Sequence, residues 1–171
     1  MLRWLINKRL DAAEKNVGVS FEYARHVLRV SLRAFLKFTK VLPLAEYRRA
    51  IPPEPFYAAR VVAMRHDDCG ECVQITVNQA RIAGIRLELL QAVLANRMEE
   101  LPEGVADACR FAQAVVSASG EEDALRERIR QRYGEEALVE LALAIAVGRI
   151  FPTTKRALGY SRSCALVTVH V

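Results

Sequence analysis

The sequence contains one short motif that can carry redox chemistry, Cys69-Gly70-Glu71-Cys72. Residues three apart on a helix share a face, so the two sulfurs would lie within disulfide-bonding distance. At a helix N-terminus, unpaired N–H groups and the helix dipole favour the thiolate form of a cysteine. A thiolate attacks a peroxide or a disulfide, and its neighbour then closes an internal disulfide. The spacing therefore predicts a two-cysteine redox site.

Two other interpretations of this motif stay open. A zinc site would need two further ligands, and His66, Cys109 and Cys164 are the candidates in the sequence. A buried pair of structural thiols is the second alternative. Cys109 itself lies on an apolar helix face, so we expect it in the core.

Acidic residues around the cysteines oppose thiolate formation. Asp67 and Asp68 precede Cys69, and Glu71 lies inside the motif. Asp68 is a good N-cap for a helix that begins at Cys69, and Glu71 completes a capping box. This capping would direct the carboxylates towards backbone N–H groups.

The elements that must position the motif are helical. The helix of the motif is predicted to end before Gly84, whose residue type suits a left-handed closing position. A short apolar helix over 56–64 precedes it. Further helices are predicted over 87–96, 103–119, 121–133 and 135–151. The last is nearly apolar all round, so we expect it to be the central buried helix, ended or kinked by Pro152. An extended tail is predicted for 164–171, with His170 near its end.

The N-terminal part differs from the rest in charge. Residues 1–50 hold 11 Lys or Arg and 4 Asp or Glu, a net charge of +7, whereas residues 51–171 have a net charge of −2. Amphipathic helices are predicted over 2–15 and 21–41, followed by a proline-rich linker. The sequence thus predicts a basic helical arm over 1–50 and a CxxC domain over 51–171. The basic face suits a solvated surface, a membrane surface or a nucleic-acid backbone, but no nucleic-acid motif accompanies it, so no nucleic-acid partner is expected.

Composition limits the class of protein. The chain has 171 residues, the size of one ordinary domain, and 52% of them are hydrophobic. Strong helix formers dominate, and only 8 Gly and 6 Pro interrupt them, which predicts an all-α fold. No run reaches the roughly 18 uncharged apolar residues of a membrane span, and the first residues do not resemble a secretory signal. A cytoplasmic, reducing location is the expectation.

Two stretches resemble the alkylhydroperoxidase D / carboxymuconolactone decarboxylase-like superfamily, namely DDCGECVQITVNQARIAGIRLELLQAVL and GEEALVELALAIAVGRIFPTTKRALG. The resemblance covers about residues 50–160. It implies a single-domain all-α helical bundle in which Cys72 is the attacking thiol and Cys69 the resolving thiol. It also implies a small hydroperoxide or disulfide substrate, an external thiol reductant, no bound cofactor or metal, and a homotrimer or homohexamer.

The chain departs from this family at the proton relay. Family peroxidases carry a His four residues after the second Cys, where this chain has Thr76, and a Glu about twelve residues before the first Cys, where it has Tyr57. His66, Glu71 and Tyr57 are the candidate substitutes, and Thr76 is a candidate hydrogen-bond partner of Cys72. The alternatives are an exposed loop position for His66, capping for Glu71 and core packing for Tyr57.

Two functions follow from these observations. The first is a thiol–disulfide oxidoreductase or weak hydroperoxide reductase that cycles through a Cys69–Cys72 disulfide. The second is a non-catalytic oligomeric scaffold of the same fold, whose basic arm contacts a membrane surface or a partner. Lactone decarboxylation is not expected, because family members with that activity generally lack the CxxC motif.

Overall fold

A computed structural model describes residues 1–160, and within this range every regular element is helical. The predicted all-α class is therefore confirmed. Short 3₁₀ turns occupy Thr39–Val41 and Met98–Glu100. The predicted tail, with Cys164 and His170, lies outside the described residues. The helices are α1 (Leu2–Val17), α2 (Glu22–Val30), α3 (Leu32–Phe38), α4 (Leu42–Ala45), α5 (Pro53–His66), α6 (Gly70–Ile82), α7 (Leu87–Leu94), α8 (Glu103–Ser117), α9 (Glu122–Tyr133) and α10 (Glu135–Ala157).

The central helix is α5, which packs against α6, α7, α8 and α10. Residues 58–64 of α5 are all buried, including three alanines. Ala108 and Ala112 on α8 are fully buried as well. Because alanine side chains are small, α5 and α8 can pack with their backbones close together. The sequence predicted only a short helix here, and burial on all sides explains why its apolar pattern has little helical periodicity.

The prediction that α10 is the central helix was wrong. One side of α10 is buried through residues such as Leu141 and Ile145, but Val139 is 50% exposed and Ile150 is 37% exposed. The helix also continues past Pro152 to Ala157, with Pro152 itself buried. Tertiary packing of this segment thus outweighs the tendency of proline to end a helix.

By length and composition alone, α10 could cross a membrane. It has 23 residues, and its most apolar stretch of 18 residues has a mean hydropathy of 1.5. The sequence still contains no run of about 18 uncharged apolar residues, because Glu140 and Arg149 interrupt this stretch. Half of that window is buried inside the protein. A core helix passes the same test, so this observation is weak evidence for a membrane.

The N-terminal helices form a small second core that packs onto the rest. The single helix predicted over 21–41 is interrupted at Ser31, whose backbone is extended and whose hydroxyl caps α3 by accepting a hydrogen bond from the Ala34 N–H at 3.1 Å. The Asn78 side chain on α6 donates to the Val17 carbonyl at 2.9 Å. Phe38 meets Phe151 of α10 edge to face. The division into arm and CxxC domain stays a prediction, but these contacts join the two parts.

A buried carboxylate holds the backbone segment that leads into α5. Glu140 on α10 is 1% exposed and accepts hydrogen bonds from the N–H groups of Arg49, Ala50 and Ile51 at 2.7 to 3.1 Å. Burial by itself would raise the pKa of Glu140, but these backbone hydrogen bonds outweigh it and lower the pKa. The ionised carboxylate therefore anchors the proline-rich segment to α10.

Candidate functional site

The two cysteines of the motif lie at the N-terminus of α6, joined as a disulfide with a Cα–Cα distance of 5.3 Å. Cys69 is the N-cap residue and accepts the first helical hydrogen bond, from Val73 N–H at 3.0 Å. Cys72 follows in the first turn. Both are buried, with exposures of 5% and 3%. Because the first N–H groups of a helix lack intrahelical acceptors, this position favours a thiolate after reduction.

The predicted capping box does not form. Cys69, and not Asp68, is the N-cap, and its side chain makes no capping hydrogen bond. Asp68 has a φ of 51°, in the left-handed region, where the chain turns from α5 into α6. The Glu71 side chain is engaged elsewhere, so the interpretation of Glu71 as a capping residue was wrong. Tertiary contacts have replaced the local motif.

Glu71 pairs with Lys155, which lies near the C-terminal end of α10. The Lys155 side chain is only 4% exposed, whereas Glu71 is 37% exposed. The Lys155 ammonium also lies 5.3 Å from the centre of the Tyr23 ring, a cation–π geometry. Burial, and then the charge of Glu71, raises the pKa of Tyr23 to about 12. A buried cation and a protonated phenol thus stand beside the redox motif.

A second cation of α10 pairs with the acidic residue before the motif. The Arg149 guanidinium donates to both Asp67 carboxylate oxygens, at 3.0 and 3.1 Å. The Arg156 side chain donates to the Asp67 carbonyl oxygen. Together with Lys155, these residues hold the turn between α5 and α6 against α10. They also offset two of the negative charges that oppose thiolate formation.

A cavity of about 300 Å³ lies beside Cys72. Its walls come from both ends of the chain, because α1, α2, α4, α5, α6 and α10 all contribute to it. Most of the lining is apolar, with Leu10, Ala13, Val17, Phe21, Ile75 and Phe151 as examples. The polar lining groups are Tyr23, Glu46, Arg60, Gln79 and Lys155. A thiol of Cys72 would therefore face a mainly apolar cavity with two buried cations, Arg60 and Lys155, and the exposed carboxylate of Glu46.

The other predicted site residues, Tyr57, His66 and Thr76, are not in the lining of this cavity. Tyr57 is half-buried, packs edge to face on Phe56 and lies under the Arg60 guanidinium. His66 is the last residue of α5 and is exposed, which matches its alternative interpretation. Thr76 is fully buried, and its hydroxyl lies 3.1 Å from the Cys72 carbonyl oxygen and 2.8 Å from the Met64 sulfur. Thr76 therefore contacts the backbone of Cys72, not its thiol, in the usual i−4 geometry.

Three functional candidates were not singled out from the sequence. Tyr23 falls within the amphipathic helix predicted over 21–41, and Lys155 follows the helix end predicted at Pro152. Arg60 lies within the apolar helix predicted over 56–64. A lone arginine inside such a stretch is an unusual residue for a buried helix, and this is the signal in the sequence that points to it.

The remaining cysteine of the described residues is structural in character. Cys109 is completely buried, and burial raises the pKa of its thiol to about 12. Among residues 1–160, no three His, Cys, Asp or Glu side chains are grouped so as to hold a metal ion. A wider groove of about 630 Å³, which includes Arg110 and Arg128 in its lining, contains none of the predicted site residues.

No family model and no curated protein matches this chain. Among solved structures, it is similar to a Cys→Ala variant of the debrominase Bmp8 in complex with 2,3,4-tribromopyrrole. The TM-score is 0.74, the sequence identity is 18%, and the match covers 91% of this chain and 83% of that chain. At this identity the similarity establishes a shared helical fold over 91% of the chain.

Proposed function

We propose that this protein is a dithiol oxidoreductase of the alkylhydroperoxidase D-like type, which reduces a small hydroperoxide or disulfide through the Cys69–Cys72 pair. The observation that supports it best is the position of Cys72, which lines a cavity large enough for a small substrate. Cys69 is absent from the lining of that cavity. This asymmetry favours Cys72 as the attacking thiol and Cys69 as the resolving thiol.

The proposed peroxide reaction has two steps. The Cys72 thiolate attacks one peroxide oxygen, the O–O bond breaks, and Cys72 becomes a sulfenic acid. The leaving alkoxide takes a proton from Lys155, the buried cation between Glu71 and the cavity. The Cys69 thiol then attacks the Cys72 sulfur, which forms the disulfide and releases water. An external dithiol returns both cysteines to the reduced state.

The role of Lys155 replaces the family relay that this chain lacks. Thr76 and Tyr57 occupy the relay positions, and neither is placed to move a proton at the cysteines. Lys155 lines the same cavity as Cys72, and its ion pair with Glu71 keeps its position fixed. We assign Glu71 as the positioning residue of this pair.

The test is a single-turnover experiment on reduced protein freed of reductant. Cumene hydroperoxide, hydrogen peroxide, a small organic disulfide and a brominated pyrrole form the panel, the last because Bmp8 shares the fold. The expected result is stoichiometric formation of the Cys69–Cys72 disulfide with at least one substrate. Cys72→Ser should reduce turnover by at least about a thousandfold, whereas Cys69→Ser should leave a trapped adduct on Cys72. A reduced pair that no member of the panel oxidises would overturn the proposal.

The reduction potential provides an independent check. We expect a reversible two-electron couple, roughly between −180 and −270 mV, when the protein is equilibrated in graded thiol buffers and alkylated. Thiols that never pair, or that react only after unfolding, would instead indicate a structural CxxC.

Membrane contact through α1 is a second candidate function, favoured by one observation. Trp4 is 61% exposed, Leu2 is 53% exposed and Leu5 is 48% exposed, on a helix that also carries Lys8 and Arg9. Exposed apolar residues among basic ones are typical of helices that lie on anionic membranes. Liposome flotation of the full chain, compared with Trp4→Glu, tests it, and equal flotation of the two would reject it.

A homotrimer or homohexamer remains part of the proposal, to be checked by light scattering.

A further inference from the structure

Arg60 is a buried cation whose hydrogen-bonding capacity is mostly unused. It projects from the central helix α5 and is 3% exposed. Its Nη2 is 3.4 Å from the Gln79 side-chain oxygen, but its Nε and Nη1 have no hydrogen-bond partner among residues 1–160. Burial lowers the pKa of Arg60, against the charges of Tyr57 and Glu46. Buried arginines are normally paired, so these free donors need an explanation.

The aromatic contacts of Arg60 do not satisfy these donors. Its guanidinium lies 5.5 Å from the centre of the Phe56 ring and 5.7 Å from the centre of the Tyr57 ring. The ring faces offer no oxygen or nitrogen acceptor to its N–H groups. The rings therefore flank the guanidinium, and its Nε and Nη1 donors stay without a partner among residues 1–160. Donors of this kind pair well with the oxygens of a carboxylate.

Arg60 forms part of the wall of the cavity beside Cys72. On α6, the lining residues Cys72, Ile75 and Gln79 fall at intervals of three and four, on one face of the helix. Gln79 lies seven residues after Cys72 on α6, and seven residues of helix rise about 10 Å along the axis. Because Arg60 contacts Gln79, the Arg60 end of the cavity is about this far from Cys72. The lining around this span is predominantly apolar, from Leu10 and Ala13 on α1 to Phe151 on α10.

We propose that this cavity binds a compact apolar molecule that carries one carboxylate, with the carboxylate held by Arg60 and Gln79 and the apolar body extending along α6 towards Cys72. The inference rests on the proposed function only in making that molecule the substrate of the cysteines. The expected substrate is a carboxylic acid whose peroxide or disulfide group lies at the end remote from the carboxylate. A cavity of about 300 Å³ has the size of a small-ligand site.

The test measures binding to the oxidised full-length protein, which has no Cys72 thiol and cannot turn over. Isothermal titration calorimetry compares 2-naphthoate with 2-naphthamide, which has nearly the same shape but no charge. The variants are Arg60→Met and, as a matched control, Arg33→Met, which removes an exposed arginine of α3. Arg60→Lys retains a charge without the planar edge. Ala13→Phe fills part of the cavity from α1 and leaves the Arg60 residue itself unchanged.

We expect the wild-type protein to bind naphthoate at least about tenfold more tightly than naphthamide, because a hydrogen bond to a charged group supplies that difference. Arg33→Met should keep the preference, Arg60→Met should abolish it, and Ala13→Phe should weaken both ligands. Should Arg60→Met not fold, Arg60→Lys is the deciding variant, with an expected loss of several-fold for naphthoate alone. Equal binding of the two ligands to wild type, or an unchanged preference in a folded Arg60 variant, would overturn the inference.

These outcomes separate the two proposals. Carboxylate binding in a protein whose reduced cysteines no member of the substrate panel oxidises would leave the inference standing and reject the redox function. Turnover of a small neutral peroxide in a protein without carboxylate preference would do the reverse.

Discussion

Lys155 and Glu71 are 84 residues apart in the sequence, yet they form an ion pair within the cysteine motif, with the lysine almost completely buried. The pair joins the C-terminal end of α10 to the N-terminus of α6. It places a cation beside the cysteine motif, and it neutralises a carboxylate that would oppose a thiolate there.

The first prediction concerns this cation. Lys155→Met should lower single-turnover peroxide reduction about a hundredfold, because it removes the proton donor to the leaving alkoxide. It should also slow iodoacetamide alkylation of Cys72 near neutral pH, since the Glu71 charge is left uncompensated. Lys155→Arg should alkylate at the wild-type rate but reduce peroxide as slowly as Lys155→Met, because arginine does not release its proton.

Lys37→Met, which removes an exposed lysine of α3, is the control for general charge effects. Wild-type turnover in Lys155→Arg would show that Lys155 acts only through its charge. The measurement of thermal unfolding for each variant separates these effects from a loss of folded protein.

The second prediction concerns Tyr23, whose pKa is raised to about 12 chiefly by burial. Its folded pKa exceeds the unfolded value, so the protonated phenol favours the folded state. This contribution is complete below about pH 10 and is lost as the pH rises towards 12. In Tyr23→Phe, the decline in unfolding free energy over this range should be smaller by about 2 to 3 kcal/mol. Tyr47→Phe, at an exposed position, should leave the decline unchanged.

The third prediction concerns Glu140, whose folded pKa is lowered although burial opposes the shift. A lowered carboxyl pKa contributes stability above the unfolded pKa, and this stability is lost as the pH falls through the folded pKa. Glu140→Gln should therefore destabilise the protein at pH 7 by roughly 2 to 3 kcal/mol and weaken the acid dependence of unfolding. Urea unfolding at several pH values measures both effects.

Glu136→Gln on the exposed side of α10 is the matched control for Glu140, and it should change stability by less than about 1 kcal/mol. A Glu140→Gln protein with wild-type stability at pH 7 would contradict the anchoring role of the carboxylate.

The fourth prediction concerns Cys109. Its thiol is completely buried and its pKa is about 12, so it should resist alkylation in the native, reduced protein. Peptide mapping after brief iodoacetamide treatment should find label on the reduced motif and none on Cys109. Addition of urea should make Cys109 reactive. Rapid native labelling of Cys109 would mean that α8 opens readily.

Local features of the fold were well predicted from the sequence. The helix of the motif was expected to begin at the cysteines and end before Gly84, and α6 runs over Gly70–Ile82, with Gly84 at a φ of 85°. The charged helix over 121–133 matches α9 closely. These predictions succeeded because glycine stops and strong helix propensity act over a few residues.

Long-range features were not predictable in the same way. The central role of α5 was missed because a helix buried on all sides lacks the periodic pattern that marks an amphipathic one. The partner of Glu71 was missed because capping is a local rule, whereas the ion pair with Lys155 depends on how α10 packs. The break at Ser31 was missed because the surrounding residues are good helix formers.

The construction of the cavity has a consequence for how such a protein can diversify. The two cysteines lie within four consecutive positions, but the cavity beside Cys72 is assembled in part from α1 and α2 at one end of the chain and from α10 at the other. On the proposed function, substitutions at Ala13 or Phe21 would alter which molecules the cavity admits without changing the cysteines. Selectivity and reactivity could accordingly evolve as separate traits, and a chain without α1 would keep the cysteine motif but lose one wall of the cavity.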